Sequence, residues 1–155
     1  MGNYDEHQSA PRSVDPFDLQ MFLPYMLAQV AEHSSRGFSQ IYRDRYGMLR
    51  TDWRVMFHLG LFGPLTARDI CARAGLHKTK VSRAVARLEE FRFLRRQTQS
   101  RDRRVEMLQL TGQGRSAYDH LYQVACNYEA DITKDFSAKE ITQLKLLLSR
   151  LNQTL

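Results

Sequence analysis

Apolar positions fall at helical spacing through the first ninety residues, switch to short β-prone runs, then return to helical spacing to the end. Residues 1–15 are polar, with Pro11, and read as a mobile arm. Asp15-Pro16 supplies a cap and a first-turn proline, predicting a short helix from Phe17 that kinks or restarts at Pro24. Leu27, Val30, Phe38 and Ile41 keep the helical period and predict a long helix to about Tyr46. Thr51 is the expected cap of the next helix. Its apolar set is Trp53, Met56, Phe57, Leu59 and Leu61, and Gly60 and Gly63-Pro64 are expected to close it. Thr66-Ala-Arg-Asp69 has the form of a capping box opening a two-turn helix, with Ile70 and Ala74 inward and a turn at Gly75. From about His77 to Glu90 the period places Val81, Val85 and Leu88 on an inner face, although His77 stands where a capping Asp, Ser or Thr is usual.

The period then changes. Phe93–Thr98 and Arg104–Leu110 read as two strands joined by polar residues 99–103, a hairpin with an exposed tip. Thr111 caps a helix running to about Asp135. Ser137-Ala-Lys-Glu140 is a capping box for the last helix, whose Ile141, Leu144, Leu148 and Leu151 recur on one face. The order α-α-α-α-β-β-α-α predicts a mainly α (α+β) fold: a winged helix-turn-helix core with a two-stranded wing, flanked by N- and C-terminal helices. Residues 16–155 form one expected domain, with a winged-helix lobe over about 50–111 and flanking helices over about 17–46 and 112–155.

Charge sharpens this picture. Residues 65–104 hold twelve Lys or Arg against four acids, a net of +8, while the remaining residues together carry −2 of the total of +6. So concentrated a positive charge is a footprint for a polyanion, because each phosphate neutralised releases a condensed counterion. Double-stranded DNA is the first candidate partner. A recognition helix presents short donors and acceptors to base edges and cations to phosphates. Thr79, Ser82 and Arg83 supply the first, and Lys78, Lys80 and Arg87 add to the basic face. Arg101, Arg103 and Arg104 at the hairpin tip suit the minor groove. Asp102 among them reads as a brace holding a neighbouring arginine at its working angle.

Leu19, Phe22 and Leu23, with Leu144, Leu147, Leu148 and Leu151, give the chain ends more apolar surface than a lone exposed helix needs. They are the expected dimer interface. Arg36, Tyr42, Trp53, Phe57 and His58 would suit an aromatic carboxylate, with Arg36 or His58 as the anion partner. Cys71 and Cys126 form no close-spaced pair, and the five histidines show no ligand spacing, so no metal or cofactor is expected. No nucleophile can be paired with a base, and no apolar run would span a membrane or serve as a signal peptide. The expectation is a non-enzymatic cytoplasmic protein.

Leu49-Arg-Thr-Asp-Trp-Arg-Val55, Gly63-Pro-Leu-Thr66, Lys80-Val-Ser-Arg-Ala-Val85, Arg87-Leu-Glu89, Asp102-Arg-Arg104 and Leu110-Thr-x-x-Gly114 follow in this order. Together they resemble the multiple-antibiotic-resistance regulator (MarR) family of bacterial transcription factors, over roughly residues 23–151. The resemblance implies a homodimer on a pseudo-palindromic operator, with the terminal helices as interface and Asp102 and Arg104 orienting a minor-groove contact. It also implies a small effector, unidentified here, that releases a repressor. Many members carry a glycine after the Leu-Glu-x-x that this chain follows with Phe91-Arg92-Phe93. Two other readings suit a basic winged helix: a non-specific architectural DNA binder, and a protein-interaction module.

Overall fold

Asp18 starts the first described element: its carboxylate accepts from the Gln20 N–H at 2.9 Å and opens a single 3-10 turn, Leu19–Met21. The computed structural model describes residues 17–98 and 106–154, so the Asp15-Pro16 start, the N-terminal arm and the hairpin tip lie outside the described residues. Helix α1 runs Leu23–Tyr46. Of the kink or restart expected at Pro24, the structure has the restart: α1 begins there, because a proline in the first turn has no intrahelical hydrogen bond to lose. The described residues fall into two compact units that divide within α1, after His33.

The second unit continues with α2 (Arg50–Phe62), α3 (Ala67–Ala74), α4 (Lys78–Glu90), β1 (Leu94–Thr98), β2 (Glu106–Leu110), α5 (Gly112–Ile132) and α6 (Ala138–Thr154). Helix α2 is the hub, packed against α3, α4, α5 and β2. Its buried residues are Asp52, Val55, Met56 and Leu59, whereas Leu61, expected inside, is exposed. Thr51 is not the cap. The helix begins two residues earlier, with Leu49 at the cap position and its N–H bonded to the Asp52 carboxylate at 2.8 Å. Gly60 does not end the helix either. It lies inside α2, and a Cβ there would stand 2.3 Å from the Tyr118 ring of α5, so the missing side chain lets α5 approach.

The capping box of α3 forms as read. The Thr66 hydroxyl accepts from the Asp69 N–H at 3.1 Å, and the Asp69 carboxylate accepts from the Thr66 N–H at 3.1 Å. Gly75 makes the turn in the left-handed region, at φ 59°. Strands β1 and β2 pair antiparallel, Leu94 opposite Leu110 and Arg96 opposite Leu108. A third piece of sheet escaped the sequence: Leu65, between α2 and α3, bridges Leu108 through two backbone bonds of 3.1 and 2.8 Å. The base of the wing is thereby tied to the helix-turn-helix.

The joint between α4 and β1 is tight. Arg92 adopts φ 60°, the described non-glycine residue with positive φ. Thr111 holds this joint from the other side, its hydroxyl donating to the Arg92 carbonyl at 2.6 Å and its N–H to the Phe93 carbonyl at 3.0 Å. Thr111 also caps α5, accepting from the Gly114 N–H at 3.0 Å. A Cβ on Gly114 would fall 1.8 Å from the Phe93 carbonyl oxygen, so only glycine permits this approach of helix to strand. The core beneath it comprises Phe38, Met48, Val55, Met56, Leu59, Ile70, Val81, Leu88, Leu94, Leu108 and Leu121 among others. Helix α6 has no buried residue.

This geometry predicts that Gly114→Ala must shift backbone against backbone and destabilise the protein by about 1–3 kcal/mol or more. Gly112→Ala, which meets nothing within 4 Å, should be neutral or slightly stabilising. Urea denaturation of both variants checks the contrast, and equal midpoints would remove the claim.

Candidate nucleic-acid interface

Helix α4 owes its orientation to one face and its chemistry to the other. Val81, Ala84, Val85 and Leu88 are buried. At the same helical period, Thr79, Ser82, Arg83 and Ala86 form the outward face, all exposed, with Lys78 and Lys80 also exposed in the first turn. His77 resolves the irregular start. Its backbone is extended, and its ring Nδ1 accepts from the Thr79 N–H at 3.3 Å, so an imidazole does the work usually given to a hydroxyl or carboxylate.

The first turn of α4 contains no acid. Lys78 and Lys80 therefore stand at the positive end of the helix dipole, where cations are unfavourable in the free protein and anions are welcome. Two acids nearby are already engaged. Asp69 closes the α3 cap, and hydrogen bonds from the Thr66 side chain and backbone hold its carboxyl below the usual carboxylate range. Glu89 pairs with Arg96 at 2.9 Å, and Arg96 reaches across to Glu106 at 2.7 Å, bracing the end of α4 to both strands. Among the described residues no ion pair involves Lys78, Lys80 or Arg83. The positive charge of this face is not neutralised by an acid among the described residues.

Arg87 differs from the other basic residues on α4. Its Nε and Nη2 donate to the two carboxylate oxygens of Asp52 at 3.0 and 2.5 Å, and Asp52 is wholly buried. The hydrogen bonds with Asp52 push the guanidinium pKa up. The sequence offered Arg87 as a DNA contact; its guanidinium is spent on tying α4 to the start of α2. Sequence reasoning missed Asp52. The one available signal was an acid three residues after Leu49, at the N-terminal end of an otherwise apolar inner face. Arg101, Asp102, Arg103 and Arg104 lie outside the described residues.

The other expected groups do not gather into one place. Tyr42, Trp53 and Phe57 pack on Phe38, with ring centroids 5.3 to 6.5 Å from it. His58 uses Nδ1 at 2.7 Å from the Arg54 carbonyl, within its own helix, and Arg36 is exposed. On α6, Leu144, Leu147 and Leu148 are 43 to 50% exposed, and Leu151 is half-buried. Leu19, Phe22 and Leu23 are also exposed, at 44 to 51%. No described helix is long and apolar enough to cross a membrane, and no group of three or more metal-binding side chains occurs among the described residues.

Comparison with known proteins agrees with this geometry. Residues 46–105 match the family model described as MarR family. The fold resembles that of a MarR/EmrR family transcriptional regulator from Acinetobacter sp. ADP1, with 25% identity and a TM-score of 0.80 over 89% of this chain and 97% of that one. It also resembles an Escherichia coli MarR mutant complexed with operator DNA, at 19% identity and a TM-score of 0.76 over 87% and 99% of the two chains. Among curated proteins, the HTH-type transcriptional regulator YwoH of Bacillus subtilis is 26% identical over 59% of this chain and 66% of its own length. The chain thus spans slightly under two thirds of that relative.

Two expectations follow from the side-chain geometry. Arg87→Ala leaves a buried carboxylate without its partner and should cost about 3–5 kcal/mol. The pair with Asp52→Ala should be non-additive by about 0.5–3 kcal/mol in a double-mutant cycle read by urea denaturation; additive losses would dissolve the proposed coupling. For Asp69 the folded-state pKa lies below the usual value. Its stabilisation is therefore complete above the normal carboxylate range and lost as pH falls through the lowered value. Asp69→Asn should flatten that acid limb in melting temperatures measured against pH.

Proposed function

We propose that the chain, whose residues 46–105 match the MarR family model, is a homodimeric winged helix-turn-helix repressor of that family that binds a pseudo-palindromic operator. The observation that carries the reading is the outward face of α4. Thr79, Ser82 and Arg83 have the atom types that distinguish base pairs in the major groove, and the uncompensated Lys78 and Lys80 suit the phosphates beside it. Arg101, Arg103 and Arg104 extend the same charge to the wing tip, with Asp102 as the brace of Arg104. Base contacts belong to α4 and minor-groove contacts to the tip in this proposal, while Arg87 is a positioning residue.

The dimer reading rests on the leucines of α6 and the apolar residues before and at the start of α1. A spacing of 144, 147/148 and 151 puts an apolar face on one side of α6, exposed in the single chain at Leu144, Leu147 and Leu148. Two copies would also supply what one recognition helix lacks, since paired half-sites multiply specificity. Release from DNA by a small ligand completes the proposal, and its place of action is the cytoplasm, where a bacterial regulator meets DNA.

Selection from a random duplex library at near-physiological salt tests the reading. The expected product is an inverted repeat with half-sites about one helical turn apart. Binding without an enriched motif would favour an architectural DNA binder instead. Lys78→Glu makes a sharper test, because it should stabilise the free protein by about 0.3–1 kcal/mol through the helix dipole while weakening DNA binding and its salt dependence. Arg83→Ala should lower specific more than non-specific binding; equal losses would restrict Arg83 to a phosphate. Leu147→Glu should leave a folded chain sedimenting at half the wild-type mass.

A further inference from the structure

We infer that Ala86 is a specificity-determining residue of α4, an assignment that rests on the DNA-regulator reading. Its methyl group meets the C5-methyl of a thymine in the major groove, about one base pair from the guanine read by Arg83. Ala86 alone among the exposed residues described on α4 carries no polar or charged group. It stands in the outward row, with Ser82 and Arg83 one turn before it and Glu90 one turn after.

The chemistry of base edges selects the partner. In the major groove guanine, adenine and cytosine present acceptors and amino donors, whereas thymine adds a methyl group beside its carbonyl. An alanine set against a polar edge strips water from it and returns no hydrogen bond. Against the thymine methyl it buries apolar surface on both sides. Alanine has no rotamer to lose, so the contact costs no side-chain entropy and its position is that of the backbone. The next residue holds that position. Arg87 Nε donates to both carboxylate oxygens of buried Asp52, at 3.2 and 3.0 Å, which fixes the side of α4 that Ala86 presents.

Spacing then places the thymine. From Thr79 to Ala86 the row advances about 10 Å at about 1.5 Å per residue, which covers about three base-pair steps of about 3.4 Å. Arg83 and Ala86 lie about 4.5 Å apart along the helix, so their targets are neighbouring base pairs. Glu90 ends the row. Its exposed carboxylate is repelled by the phosphates, and the base contacts of the row therefore stop at Ala86. The half-site that fits this face holds a G·C pair with a T·A pair beside it.

Deoxyuridine scanning of the selected duplex tests the assignment, since each replacement of thymine by uracil removes one methyl group and no hydrogen bond. One thymine per half-site, next to the guanine whose selection Arg83→Ala abolishes, should cost about fourfold in affinity when it loses its methyl group. At that position 5-methylcytosine should bind better than cytosine. Ala86→Gly should bind the thymine duplex about fourfold more weakly than the wild type and be indifferent to uracil there. Ala86→Ser, which brings a hydroxyl to the same place, should select a different base at that position and keep the guanine of Arg83. Circular dichroism checks that both variants are folded. Indifference of the wild type to uracil at every position, or an equal uracil penalty in Ala86→Gly and the wild type, would overturn the assignment and leave a sequence-specific regulator standing. No enriched motif, or no binding to DNA, would overturn the regulator reading and the assignment with it.

Discussion

Asp52 has no exposure to solvent, and its two oxygens serve three donors on two elements: the Leu49 N–H that begins α2, and the Nε and Nη2 of Arg87 on α4. A buried carboxylate is tolerated only where its lone pairs are occupied, so each of these groups depends on the others being in place. The interaction sets where α2 starts and fixes the rotation of α4 about its own axis. The outward row of Thr79, Ser82, Arg83 and Ala86 is a consequence of that rotation, as much as of the apolar Val81, Ala84, Val85 and Leu88 beneath it. Turning α4 by one residue would bury Arg83 and break the pair with Asp52 together.

Around this fixed helix the charges are arranged for binding at some expense to the free fold. Acids that would relieve the basic surface are withdrawn from it, Asp69 to a cap and Glu89 to Arg96, and the start of α4 keeps two lysines where its dipole disfavours them. The local rule broken at the start of α4 is broken on a surface that faces outward. The Arg96 bridge to Glu89 and Glu106 shows the same charges used structurally, since it ties the wing to the helix that it must work beside.

Much of this was legible from residue order. The capping boxes at Thr66 and Ser137, the turn at Gly75, the caps at Thr111 and the inward positions of α4 all follow from local rules that tertiary context did not override. The misplacements share a cause. Thr51 lost the cap of α2 because a longer-range partner for Asp52 favoured an earlier start, and Gly60 serves a close approach by Tyr118, some sixty residues away in the chain. The Leu65–Leu108 bridge is likewise a juxtaposition of distant segments, and spacing along one segment carries no information about it. The charge of Arg87 was visible, but its occupation by a buried acid was not.

The left-handed residue at position 92 separates two tasks that are usually entangled. The direction in which the ribbon leaves the helix is decided by one pair of backbone angles, clamped by Thr111 and by the glycine that lets α5 press against Phe93. What the ribbon touches is decided by side chains farther along it. A lineage could therefore exchange the residues farther along the ribbon without re-aiming it. Drift at the clamp would misdirect all of them at once.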